Sequence, residues 1–403
     1  MSKITEIPSE LLDNILELAD EPFVHAKVCR VFNLIATPIL YRTVKCASHR
    51  FLKPHNIHRF LRCITSRPAL GNLVRRLIVV LYGPATRAEL LPSFVAEAGS
   101  HGFPPEAQRA VADGSIMVML FLLLHYLPRL QELVVHLPMG DPDYWILYQQ
   151  MLTTSPLPLA LQSIRSVELF SLAQGEYTLE MVMPFLRLPA LQRFAMHGLF
   201  KYNDSKLIDE PLPGSSLIEH MAFYSCDFDG AALGALVRWS QSLRRFVYHT
   251  TTFKFHPLFL GDALRQGALD TLQHLEVEHT GSLVGCFGPL SDFTSLTYIQ
   301  TSLSLLLGTP DGSTVDTIAR RLSAALPVSL ISLRLSVNLP WEGAMVVLAM
   351  ELFVKNRRDR LKHLRKLGFR GPYENIELRR FESLCKAEGL EVLSYAFRGR
   401  TLP

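Results

Sequence analysis

Leu243-Arg244-Arg245-Phe246-Val247-Tyr248 and Leu272-Gln273-His274-Leu275-Glu276-Val277 share one pattern, with an apolar residue at the first, fourth and sixth positions. The alternation at its end is that of a short strand with one buried face. With the fourth residue as anchor, the pattern recurs at Leu77, Leu133, Val167, Phe194, Met221, Phe246, Leu275, Ile299, Leu333, Leu367 and Leu393. From Leu133 onward the gaps are 34, 27, 27, 25, 29, 24, 34, 34 and 26 residues. The gap from Leu77 to Leu133 is 56, two periods or one period plus an insertion. Segments between anchors read as helices, as over 231–237 and 318–322. One strand and one helix cannot bury their apolar sides alone, so neighbouring units must stack.

These gaps sit in or just above the ~20–29 residues of a leucine-rich repeat. The expected fold is α/β: a small N-terminal helical module over 1–48, then an irregular leucine-rich-repeat solenoid over 49–403. Its parallel strands should line the concave side, with helices outside. The asparagine usual after such strands is mostly missing. Asn338 is the nearest case, and Cys226 is a candidate substitute in its unit. A doubly wound α/β domain is the competing architecture. Residues 84–126 break the rhythm and read as a helical insertion, with helices over 89–98 and 105–112.

The N-terminal module reads Ile7-Pro8-Ser9-Glu10-Leu11-Leu12-Asp13-Asn14-Ile15-Leu16, then Val28-Cys29-Arg30-Val31-Phe32, then Leu40-Tyr41-Arg42. Pro8 suits a first helical turn, and Leu11, Leu12, Ile15 and Leu16 form one apolar stripe. Helices this few and short cannot close a core of their own, so they must dock on something. The stretch resembles an F-box, the module that docks substrate receptors onto the Skp-type adaptor of cullin–RING (SCF) ubiquitin ligases. Ile7 stands for the usual leading Leu and Phe32 for the usual Trp. The resemblance implies adaptor contacts at Ile7, Pro8, Leu11, Leu12, Ile15, Leu16, Val28, Cys29 and Phe32. An ordinary capping helical pair is the alternative. With its repeats, the whole chain is similar to fungal F-box proteins with divergent leucine-rich repeats.

At 48% hydrophobic residues over 403, the chain can bury a sizeable core. Its longest apolar run, Ile116 to Leu124, is far short of the ~20 residues that span a bilayer. The opening residues carry Lys3, Glu6 and Glu10 and no apolar signal core. Six cysteines lack the tight spacing of a zinc or redox motif. Together these predict a cytoplasmic and/or nuclear protein with free thiols. Residues 355–403 hold 13 Lys/Arg against 6 Asp/Glu, a balance of +7, which leaves −3 for the rest of a chain of net +4. The run Lys355 to Lys366 reads as a solvated helix end with Leu361, Leu364 and Leu367 inward; an import or nucleic-acid patch is the rival.

No phosphate loop, dinucleotide fingerprint or nucleophile elbow is present, and the cluster Gly281, Gly285 and Gly288 reads as a loop. His136, His197 and His249 each follow an anchor by three residues, but intervening strands should keep them too far apart to share a metal. Neither catalysis, a metal nor a cofactor is expected. Residues before and three after each anchor should face outward. Aromatics and Arg dominate interface hot spots, so Phe170, Arg193, Tyr224, Arg245 and Tyr298 are the candidate target-binding residues. His274 and Arg334 are expected to be exposed. The implied function is a non-catalytic substrate-recognition subunit of an SCF-type ligase. A leucine-rich-repeat scaffold acting without a ubiquitin ligase is the alternative.

Overall fold

A computed structural model of the chain describes residues 37–47, 57–80, 91–137, 158–171, 179–198, 216–226, 228, 230–250, 257–279, 285–308, 314–337, 343–370 and 375–393. All nine adaptor-contact candidates, Ile7 to Phe32, lie outside these residues, as do Asn338 and Gly281. The chain divides into two compact units, 1–176 with 180–191, and 177–179 with 192–403.

The first unit carries β1 (Thr43–Ala47), α1 (Ile57–Ser66), α2 (Pro68–Gly71) and β2 (Arg76–Val80). Then come α3 (Leu91–Ser100), α4 (Pro105–Ala112), α5 (Ile116–Leu124), β3 (Glu132–Leu137), α6 (Leu159–Ser163), β4 (Ser166–Ser171) and α7 (Leu179–Leu186). Strands β1 to β4 pair in parallel and in sequence order, with Val44, Leu77, Leu133 and Val167 in register. Strand β1 lies within 1–48, so the sheet begins before residue 49. The 56-residue gap holds α3, α4 and α5. Helix α5 has no polar face, and Met117 to Leu124 are all buried where it packs on α1 and α4. Among the described residues no single helix is long and apolar enough to cross a membrane.

The second unit runs β5 (Arg193–His197), β6 (His220–Tyr224), α8 (Gly230–Trp239), β7 (Arg245–Thr250), α9 (Pro257–Ala268), β8 (His274–His279) and β9 (Tyr298–Ser302). It continues through α10 (Leu303–Leu307), α11 (Val315–Ala325), β10 (Ser332–Ser336), α12 (Gly343–Asn356), β11 (Lys366–Arg370), α13 (Asn375–Ala387) and β12 (Glu391–Val392). Again each strand pairs in parallel with the next in sequence. Each unit is therefore an open parallel sheet with alternating helices. A doubly wound sheet would reverse its strand order at a switch point, and neither unit does.

The anchors Phe194, Met221, Phe246, Leu275, Ile299, Leu333 and Leu367 lie in register on neighbouring strands, each at most 1% exposed. They share their side of the sheet with helical stripes such as Leu233, Leu236 and Val237 of α8, all buried. The last repeat departs from expectation. Val392, not Leu393, sits opposite Leu367, because β12 is two residues long and the chain slips by one.

Backbone bonds lock each step. The N–H groups of Arg244 and Arg245 share the Glu219 carbonyl, and those of Gln273 and His274 share that of Arg244. Thr297 and Tyr298 repeat the device on Gln273, Ile331 and Ser332 on Thr297, Arg365 and Lys366 on Ile331. Side-chain hydroxyls add a latch. Ser163, Thr271 and Ser329 each stand four residues before an anchor. They donate to the carbonyls of Leu130 (2.9 Å), Leu243 (3.0 Å) and Leu296 (2.9 Å) in the preceding repeat. Cys226 is buried and fastens the turn after β6. Its thiol reaches the Gly198 (3.5 Å) and Tyr224 (3.6 Å) carbonyls, and the buried Tyr248 hydroxyl donates to the Cys226 carbonyl at 3.2 Å.

Leu275→Ala should cost ~2–5 kcal/mol of stability, whereas Gln273→Ala, exposed just before the same strand, should stay within about 0.5 kcal/mol in denaturant unfolding. Equal losses at the two positions would show that the strand phase is misassigned. Thr271→Val removes a latch at nearly constant volume and should cost about 0.5–1.5 kcal/mol in the same experiment.

Candidate protein-binding face

Side chains alternate along a strand, so residues one before, one after and three after each anchor share the face opposite the core. In the second unit this face is ordered by contacts among its own side chains. Tyr224 of β6 stacks on His197 of β5 (ring centroids 4.5 Å, 16°) and meets His249 of β7 edge-on at 5.1 Å. His274 of β8 stacks on Tyr298 of β9 at 4.0 Å and 4°. The Arg334 guanidinium lies 5.8 Å from the Tyr298 ring centroid, a cation–π distance.

Glu276 ties the two aromatic groups together. His249 Nε2–H donates to Oε1 at 2.9 Å, His274 Nε2–H to Oε2 at 3.4 Å, and Arg245 Nη2 is 4.0 Å from Oε2. Burial alone would raise this carboxyl. The two histidine hydrogen bonds, with the attraction of the same rings, outweigh that and hold it down at about 2. Beside it the Tyr298 hydroxyl donates to Gln300 Oε1 (2.6 Å), and Gln300 Nε2 donates to Glu278 Oε1 (2.7 Å). Burial, partly opposed by Arg334, keeps the Tyr298 phenol above its ordinary range. Such interlocked side chains are pre-organised, which lowers the ordering cost of binding.

Arg193, Tyr224, Arg245 and Tyr298 therefore share one face of one unit. Arg193 is exposed, and the Arg245 side chain is 46% exposed. Phe170 is not brought into that unit: it lies on β4 of the first, stacked on His136 at 4.5 Å. His274 and Arg334 are half-buried rather than exposed, because each leans on the Tyr298 ring. Sequence reading missed Glu276 and Gln300. The same alternation that placed Tyr224 and Arg245 outward puts the residue after each anchor there too, so the signal was available. Within this unit His197 and His249 stand on strands separated by β6. Among the described residues no group of three or more His, Cys, Asp or Glu is arranged to hold a metal ion.

The basic run is partly structural. Arg357 is buried, donating to the Val354 carbonyl (2.8 Å), to Glu388 Oε2 (3.1 Å) and to the Glu388 carbonyl. Arg360 donates to the Ser323 carbonyl at 2.9 Å. Leu361, Leu364 and Leu367 are buried as expected. Gly285 and Gly288 lie in irregular chain at φ 96° and 75°, and Arg265 fastens that loop through the Phe287 (2.7 Å) and Pro289 (3.0 Å) carbonyls. In the insertion, α3 and the end of α5 bring together Glu97, His101, His125 and Tyr126. Tyr126 donates to Glu97 and lies 3.0 Å from His101 Nε2. Burial, aided by His101, holds His125 down at about 4.

No protein-family model matches the sequence, and neither does any curated protein.

Glu276 has a folded pKa below its unfolded one, so its ionised form stabilises the fold above the ordinary carboxylate range. That stability should fade as pH falls from about 4.5 toward about 2. Glu276→Gln should cost about 1.5–3 kcal/mol near neutrality, with the difference from wild type shrinking across that window in pH-dependent unfolding. A difference unchanged down to the acid limit would mean the histidines do not hold the carboxylate.

Proposed function

We propose that the chain is the non-catalytic target-recognition subunit of an SCF-type (cullin–RING) ubiquitin ligase. The F-box-like segment from Ile7 to Arg42 would dock the Skp-type adaptor, and the open face of the second unit would hold a target protein. Ubiquitin transfer would follow from proximity, which raises effective concentration without new chemistry in this chain. The observation that carries the reading is the register of the second unit. It puts Arg193, Arg245, Tyr224 and Tyr298 on one face of the same ladder of strands, and Arg and aromatic side chains are the types that dominate interfaces. Reading the sheet as divergent leucine-rich repeats draws support from the anchor spacing, the sequential parallel order and the Cys226 contacts.

The adaptor half is tested by a point change, since deleting residues 1–48 would also remove β1. Leu12→Asp should abolish co-purification with the adaptor while circular dichroism and thermal unfolding of the sheet stay unchanged. A charge forced into a dry interface costs on the order of several kcal/mol. Wild-type co-purification of that variant would leave a leucine-rich-repeat scaffold that acts without the ligase. The target half is tested by Tyr224→Ala with Arg245→Ala, which should weaken target capture at least about tenfold while adaptor binding is retained.

A further inference from the structure

At the start of three adjacent strands of the second unit, Arg193, His220 and Arg245 stand directly opposite one another. Neighbouring strands are ~4.8 Å apart, so the two arginines flank His220, one on each adjacent strand. Glu276 serves Arg245, His249 and His274 together, and Glu219 lies 4.0 Å from Arg244. Among the described residues no carboxylate lies within ion-pair distance of Arg193 or His220. The crowding leaves a mark on His220. Burial and then Arg193 hold it below the ordinary histidine range, with Arg245 and Arg244 adding to the effect against an opposing Glu219. Folding does not require this arrangement, since the buried anchors lie on the opposite side of the sheet.

The next position along the strands is small. Ala195 and Ala222 face each other there, both partly exposed, while Val247 beside them is buried. Beyond them stand the stacked rings of His197 and Tyr224. The result is a short notch with an alanine floor, a cationic wall and an aromatic wall, running across the strands and ending at Val247. A peptide backbone fits over alanines where larger side chains would exclude it. Extended chain sends successive side chains to opposite sides. One residue would face the guanidinium and imidazole groups, and the next would face the rings. Carboxylates are the complement of the first wall through charge-assisted bonds to Arg. Apolar side chains are the complement of the second.

Resting on the target-receptor reading above, we infer that this notch takes an extended acidic segment of the partner protein, one in which carboxylate and apolar side chains alternate.

The test uses the full-length chain and fluorescence anisotropy of a glycine-flanked Glu-Leu-Glu-Leu-Glu peptide, with the Lys-Leu-Lys-Leu-Lys peptide and an oligothymidylate as comparators. The acidic peptide should bind and the basic one should not. Arg193→Glu should weaken binding at least about tenfold, about 1.4 kcal/mol. Ala222→Leu, which fills the notch from a partly exposed position, should do the same with an unchanged circular dichroism spectrum. No acidic-peptide binding at millimolar concentration, equal binding of the basic peptide, or affinity unmoved in both variants would overturn the inference. So would tighter binding of the oligothymidylate lost in the same variants, which would assign the notch to nucleic acid. The Tyr224→Ala/Arg245→Ala variant separates the two readings in cells. Lost target capture without peptide binding removes only the acidic segment. Peptide binding with target capture intact in that variant removes only the receptor role of this face.

Discussion

The in-register parallel ladder is the constraint on which everything else in each unit depends. A side chain in a strand has two directions only, and a slip of one residue exchanges them. From β5 to β11 the anchors never slip. One side of the sheet is therefore buried and apolar, Thr301 excepted, and the other carries mixed side chains of which only some, such as Val247, are buried. The paired N–H groups converging on one carbonyl at the starts of β6 to β11 fix the step before any side chain is considered. Burial then rewards only that register, because every alternative would send Phe246 or Leu275 into water. Where the reward fails, at the two-residue β12, the register moves by one.

Freed from the core, the outer side chains of the second unit are organised by polar and ring contacts instead. Glu276 is the hub: one carboxylate accepts from two histidines and neighbours an arginine, while rings on either side stack across strands. Such contacts contribute little each at a half-exposed surface. Their joint effect is on order, since each side chain that is already fixed has less freedom to lose when a partner arrives. The unit thus presents a rigid, chemically mixed surface, cationic at Arg193 of β5 and Arg245 of β7 and hydrogen-bonded toward β8 and β9.

Much of this architecture could be read from residues alone, because it rests on period. The anchors from Leu77 to Leu367, the helices at 105–112 and 318–322 and the inward Leu361 and Leu364 all follow from spacing. What escaped has physical reasons as well. Helix α5 is apolar on all sides, so it has no stripe to reveal it. Strand β1 sits where the F-box-like pattern ends, so its repeat-like Tyr41, Val44 and Cys46 fall among residues that read as a separate helical module. The half-burial of His274 and Arg334 depends on a ring contributed by a different strand, a tertiary fact that no local pattern carries. Phe170 was grouped with Tyr224 by column, but a column in sequence does not say which residues share a compact unit.

The hydroxyl latches have a consequence for how such a chain can change. Repeat length varies from 24 to 34 residues, while Ser163, Thr271 and Ser329 keep one fixed distance to their anchors. Each latch reads the carbonyl of its immediate predecessor and nothing farther away. The count restarts at every such turn, so extra or missing residues in the intervening segment are absorbed there and not passed along. Phase error does not accumulate with distance, as it would in a continuous coil held only by an average pitch. Segments between latches are thus free to lengthen, shorten or be exchanged, and the order of the outer side chains can drift in evolution while the alignment of the sheet is preserved.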